Sequence, residues 1–218
     1  MYGRETKSLN PYRLYCLQLE DLTKDITNSI KWWQIYCQTS DGKLQYFIGI
    51  VPPAEYGRQI LEFKKKWRNN KFPDVVEPHI TVKSQAGLND DMTWIDSLKK
   101  MCSSFPKFRI SLREPGSFEM SVVYLKVESP GIYELHRQLV NVVSPDPQIS
   151  KQYFELDLYQ PHLTLGSIEF GMDFEEIKDM IKMAEQTFTY DYTFTAEYVR
   201  LYEFEKTNYK HIKDIRLA

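Results

Sequence analysis

Residues 44–51 read LQYFIGIV, an almost unbroken apolar run closed by Pro52-Pro53, and they predict a buried strand. Tyr56, Ile60, Phe63 and Trp67 then recur at helical spacing, and this helix stops near Asn69-Asn70, ahead of Pro73. Residues 78–83 (PHITVK) form a short β-like segment. Asn89 or Asp90 is placed to cap a helix carrying Trp94, Leu98 and Met101, and residues 108–112 alternate like a strand. A second series follows: a strand at 122–127 (VVYLKV), a helix opened by Pro130-Gly131 with Tyr133, Leu135, Leu139 and Val143, a loop holding Pro145 and Pro147, and the segment 161–166 (PHLTLG). Asp173 caps a further helix through Ile177, Ile181 and Ala184, and two strands, about 192–202 and 209–217, end the chain.

Both series read strand, helix, histidine-bearing strand, helix, strand. This is a duplication of organisation with little residue identity outside the histidine segments. It predicts two pseudo-symmetric lobes, about 45–113 and 120–218, facing each other across a groove. Before them lies an extension, residues 1–44, expected to be partly helical and packed on the domain. There Leu22, Ile26, Ile30, Trp33 and Cys37 fall at helical spacing, although the aromatic-rich 32–36 and the Asp41-Gly42 turn also suit a strand.

Composition narrows the functional classes. Of 218 residues, 42% are hydrophobic and 14% aromatic, enough for a substantial core and against general disorder. A net charge of -2 and a pI near 6.1 argue against a non-specific grip on long nucleic acid, so a nucleotide partner is expected to be small or held locally. Cys16, Cys37 and Cys102 are widely spaced without a CxxC, which disfavours a disulfide framework or structural zinc and fits buried thiols in a reducing compartment. No signal-like apolar core begins the sequence, and no apolar run is long enough to span a bilayer. A cytoplasmic protein with no membrane partner is expected.

The candidate chemistry lies in two segments that share one frame, Pro78-His79-Ile80-Thr81-Val82 and Pro161-His162-Leu163-Thr164-Leu165. In a strand, His and Thr two apart share a face while the apolar residue between them enters the core. Two such strands bring two imidazoles and two hydroxyls to one cleft. That set suits phosphate esters: one histidine takes a proton from the attacking oxygen, the other gives one to the leaving oxygen, and the threonines donate to non-bridging oxygens. The sequence leaves open which histidine is acid and which is base. Lys83, two residues past Thr81, is expected on the same face as a substrate-binding cation, whereas the second segment has Gly166 there. No third histidine or cysteine has an obvious place beside the pair, so no metal is expected. No P-loop, dinucleotide-binding glycine pattern or nucleophile elbow occurs, so no cofactor is expected either.

Other features carry two readings. Lys64, Lys65, Lys66, Arg68 and Lys71 fit a solvated helix end better than a lip guiding phosphates to the cleft. Phe118, Tyr124 and Tyr159 are candidates to stack on a base, with core packing as the plainer role, and Trp32-Trp33 is equally ambiguous. His136 sits among Glu134 and Arg137 on an expected solvent face, and nothing around His211 suggests chemistry.

The paired His-x-Thr segments resemble the signature of the two-histidine (2H) phosphoesterase superfamily, in particular its LigT-like, 2′-5′ RNA ligase family and the short Bacillus-type branch. The likeness covers about residues 45–218. It implies an α+β bilobal fold with antiparallel sheets flanking a central cleft and helices outside. It implies His79, Thr81, His162 and Thr164 as catalytic residues of a metal-independent phosphodiesterase. The implied partner is a nucleotide or short RNA: a 2′,3′-cyclic phosphate, a 2′-5′ linkage or a cyclic oligonucleotide. Alternatives are RNA end-healing or 2′-5′ ligation, a viral-type enzyme that degrades immune signal nucleotides, or a nucleotide-binding module without turnover. The extension of about 44 residues departs from the family pattern.

Overall fold

The computed structural model describes residues 45–218; the expectations for the extension, Cys16, Cys37 and Trp32-Trp33 lie outside the described residues. Eight strands run β1 (Tyr46–Ile50), β2 (Ile80–Lys83), β3 (Phe108–Phe118), β4 (Val122–Glu128), β5 (His162–Ser167), β6 (Tyr192–Ala196), β7 (Tyr198–Glu205) and β8 (Asn208–Arg216). Among them lie helices α1 (Ala54–Lys64), α2 (Phe72–Val75), α3 (Ile95–Cys102), α4 (Pro130–Val143), α5 (Pro147–Gln152) and α6 (Phe174–Thr187).

The strands form one antiparallel sheet in the order β6-β3-β4-β5-β2-β1-β7-β8. The architecture is α+β, with the two histidine strands at the centre. Each is joined to the strand before it through a helix, β1-α1-β2 and β4-α4-β5, so the local plan of the sequence is repeated in space. The halves of the sheet are nevertheless built from both halves of the sequence. β3 pairs with β4 and β6, while β7 and β8 extend from β1. The cause of the first exchange is local: β3 and β4 are joined by a three-residue hairpin loop in which Glu119 and Met120 adopt positive φ.

The run expected as one strand over 192–202 is broken at Glu197 into β6 and β7, which serve opposite halves of the sheet. One residue can link them only because the sheet curls back on itself. Leu217 N–H closes this corner on the Glu197 carbonyl (2.8 Å).

Most elements follow their patterns. β1 is buried at all five positions, as its unbroken apolar run requires. Tyr56, Ile60, Phe63 and Trp67 are all buried. Asp173 and Glu176 form a reciprocal capping box on α6. Three expectations are corrected. The strand expected over 108–112 runs on through Pro115-Gly116 to Phe118, a register shift between Leu112 and Pro115 removing the ladder bond that proline cannot donate. α3 starts only at Ile95, with Trp94 as N-cap, and Asn89 instead accepts the Trp94 indole N–H through its carbonyl (3.0 Å). The proline loop after α4 contains α5, capped by the Asp146 carboxylate.

Candidate active site

The two motif strands meet through the residue pair Ile80–Leu163. Both side chains are fully buried in the main core. Antiparallel pairing about this point sets His79 beside Thr164 and Thr81 beside His162 on the opposite face, where all four are half-buried. Each imidazole therefore has the other motif's threonine as its neighbour.

Both histidines are held by the same device. His79 Nδ1 lies 2.8 Å from the Glu77 carbonyl and His162 Nδ1 lies 2.7 Å from the Gln160 carbonyl, in each case two residues upstream. A carbonyl only accepts, so Nδ1 carries the proton and Nε2 is left with its lone pair in the neutral ring. Each ring is also walled by an aromatic pair. Phe47 (4.9 Å) and Tyr202 (5.8 Å) flank His79 and stack on each other at 4.5 Å; Phe118 (5.1 Å) and Tyr124 (5.5 Å) flank His162 and stack at 4.2 Å.

Burial pushes the His79 imidazole down to about 4, helped by the charges of Lys64 and His162 and opposed by the Glu77 carbonyl bond. His162 is likewise lowered, chiefly by burial. Behind His79, the Glu77 carboxylate accepts from Arg200 Nη1 (2.8 Å) and the Tyr202 hydroxyl (2.9 Å). Arg200 is itself clamped by Asp214 through Nε (2.7 Å) and Nη2 (2.8 Å). The second half has no copy of this arrangement among the described residues. There Lys126 pairs opposite His162 across β4 and β5 and binds Glu114 at 2.8 Å.

The structure places the other expected site residues differently. Lys83 does not face the cleft. Its ammonium is wholly buried and bonds the Glu155 carboxylate (2.6 Å) and the carbonyls of Ser84 (3.1 Å) and Ala86. A register shift explains this: Thr81 pairs with Gly49 but Lys83 with Ile48, so Val82 is an extra residue and the alternation breaks. β5 repeats it, with Thr164 opposite Tyr124 and Gly166 opposite Val123. Gly166 also faces inward, where a β-carbon would lie 2.5 Å from Met172 Sδ.

Phe118 and Tyr124 do border the site, packed on His162. Tyr159 serves from behind: its hydroxyl donates to the Thr81 carbonyl (2.8 Å) and its ring stacks on His136 at 3.8 Å. His136 is not solvent-exposed. It is 2% accessible, with Nδ1 on the Val82 carbonyl and Nε2 accepting the Leu156 N–H, both at 2.8 Å, so it is a neutral structural tie. Lys64 is the exception in the basic cluster, being fully buried while Lys65, Lys66, Arg68 and Lys71 are exposed. Its place four residues after Ile60, on the apolar stripe, is the sequence signal that marks it. Glu77, Arg200 and Tyr202 gave no such signal, because the register that joins them is non-local.

Among the described residues, no three His, Cys, Asp or Glu side chains converge as a metal site, and no helix is long and apolar enough to cross a membrane.

Comparison with known proteins decides the family. The model of the 2′-5′ RNA ligase superfamily matches residues 52–208. The chain belongs to this superfamily, a group of two-histidine phosphoesterases. Over 165 residues it is 26% identical to an RNA 2′,3′-cyclic phosphodiesterase of Methanocaldococcus jannaschii, covering 73% of this chain and 91% of that one. Two solved structures share its fold. Escherichia coli LigT, complexed with NADP+, has a TM-score of 0.52 at 18% identity over 81% of this chain and 98% of its own. The TT0787 protein of Thermus thermophilus has 0.53 at 16% over 79% and 97%. LigT has also been solved with 3′-AMP.

Proposed function

We propose that this superfamily member is a metal-independent phosphodiesterase that opens a nucleoside or RNA-terminal 2′,3′-cyclic phosphate. The carrying observation is the symmetric pair of imidazoles, each fixed through Nδ1 with Nε2 directed away from its own backbone tether. The Methanocaldococcus relative, named for this activity, favours the cyclic phosphate among the possible diesters.

In the proposed reaction His79 is the base, because burial, with the charges of Lys64 and His162 adding to it, keeps its ring unprotonated near neutrality. It takes a proton from water as the water oxygen bonds to phosphorus. The opposite ester P–O bond breaks in line, and its oxygen receives a proton from His162, leaving a phosphomonoester and a free ribose hydroxyl. Thr81 and Thr164 donate to the non-bridging oxygens as charge builds on them. Phe118 and Tyr124 form the apolar wall beside the leaving side.

The test is turnover in EDTA on 2′,3′-cyclic nucleotides, 2′-5′ and 3′-5′ oligonucleotides and cyclic oligonucleotides, with H79A and H162A as controls. Cleavage of the cyclic phosphate, lost by about 10²–10⁴-fold in each variant, is expected. Loss of activity in EDTA with recovery on zinc would overturn the mechanism, and tight binding without product in any arm would make the cleft a receptor.

A further inference from the structure

Lys64 ends α1 with a 0% exposed side chain whose Nζ has no hydrogen-bond partner among the described residues. A buried ammonium normally needs a carboxylate or several carbonyls, as Lys83 has. Among the described residues Lys64 Nζ instead lies over the face of Phe72, 4.2 Å from the ring centroid. Phe72 belongs with Phe47, Val76, Tyr202 and Tyr209 to a small apolar cluster separate from the main core, and its ring centroid lies 6.2 Å from that of His79. The ammonium thus reaches past the main core to the side of the sheet where His79 stands. Asn70 fixes the end of the helix: its side-chain amide donates to the carbonyls of Lys64 (3.2 Å) and Leu165 (3.0 Å), the latter next to Thr164. Lys64 is therefore tied to one motif strand through its backbone, and its charge acts on the histidine of the other.

We infer that the Lys64 ammonium is an anion-binding element of the cleft, completed by a phosphate oxygen of the ligand. The inference rests on the cleft's being a phosphate site, and it adds a third kind of phosphate contact to the histidines and threonines. Burial lowers the ammonium to about 7, no carboxylate among the described residues offsetting it, and an arriving phosphate would restore the charge. Lysine suits the role, since a compact point charge fits one oxygen where bidentate arginine would need two.

The test uses the full chain and inorganic phosphate, so it needs no turnover. Calorimetric titration is expected to show phosphate affinity about tenfold to a hundredfold weaker in K64M than in wild type, the loss of one charge-assisted hydrogen bond, with K64R intermediate. In wild type, the Lys64 side-chain NMR signal, identified as the one absent from K64R, should titrate at higher pH when phosphate is present; this holds whether or not K64M folds. No phosphate binding in wild type, equal affinity in K64M, or a Lys64 signal indifferent to phosphate would each overturn the inference. Failure of the catalytic reading would appear as wild-type phosphate binding that K64M weakens, with no diester cleavage. Cleavage undiminished in K64M, with phosphate affinity unchanged, would sink the inference alone.

Discussion

If Glu155 is changed to leucine, the Lys83 ammonium stays buried with its counter-ion removed. The two side chains are 0% and 1% exposed, and their 2.6 Å contact joins β2 to the segment after α5. Breaking a buried pair from one side costs roughly 3–5 kcal/mol. Lys83 keeps the Ser84 and Ala86 carbonyls, so the lower end, about 3 kcal/mol, is expected. The Ser84 hydroxyl also loses its 2.6 Å acceptor, but it is only partly buried and water can replace the bond. For a chain of this length such a loss lowers Tm by on the order of 10 °C. Lys83→Met should cost a similar amount by stranding the carboxylate, whereas the double variant Lys83→Met/Glu155→Leu should recover most of the loss, because both charges are then gone. Urea unfolding of all four proteins closes the cycle. A single-variant loss below about 1 kcal/mol, or a double variant no better than the worse single, would refute the assignment. Kinetics below the melting transition add a second check. Here Lys83→Met should leave KM within about twofold, whereas a substrate-binding Lys83 would raise it about tenfold or more.

Other consequences follow from the same geometry. The profile of kcat/KM against pH should rise as one of the pair loses its proton near 4, where His79 titrates, and fall as His162 loses its own below the ordinary histidine value, giving a bell with an acidic optimum; an optimum above about pH 7 would refute the lowered proton affinities of the pair. The lowered His79, His136 and His162 mean that the folded state binds fewer protons than the unfolded chain. Stability should therefore hold above the unfolded value of about 6.5 and fall as pH drops toward 4, by up to about 1.4 kcal/mol per pH unit per histidine, as urea midpoints across that range would show. Arg200→Met should free the Glu77 carboxylate and loosen His79, lowering kcat about tenfold with KM little changed; equal effects on both would point to a substrate contact instead.

The four residues of the candidate site could be singled out because their signal is local and doubled. A histidine, an apolar residue and a threonine occur in one frame twice, and strand alternation alone puts the polar pair on one face. The strands and most helices were legible for the same reason, as apolar periodicity in Tyr56–Ile60–Phe63 or Val123–Leu125–Val127. What failed depends on register. Alternation carried two residues too far placed Lys83 in the cleft, and one extra residue in β2 turns it into the core. His136 looked solvated among Glu134 and Arg137, but its partners, Val82 and Leu156, are remote in sequence. Charge clustering likewise hid Lys64 among lysines that are exposed.

The extra residue after each threonine also explains why two halves of one plan can diverge without losing the cleft. Thr81 and Thr164 are the last positions in strict alternation, so residues beyond them are released from facing the cleft. One half uses that freedom for a buried ion pair at Lys83, the other for close packing of Met172 and Met180 against Gly166. Upstream of the threonines no such freedom exists, and the histidine tethers remain alike at 2.8 and 2.7 Å. Differences there are confined to what surrounds each ring. His79 has the Lys64 charge nearby and Gly49 opposite Thr81; His162 has Tyr124 opposite Thr164 and Lys126 across from itself. The tethers are alike and the surroundings are not. Under the proposed mechanism, like tethers would orient both imidazoles for proton transfer, and unlike surroundings are what would let one serve as base and the other as acid.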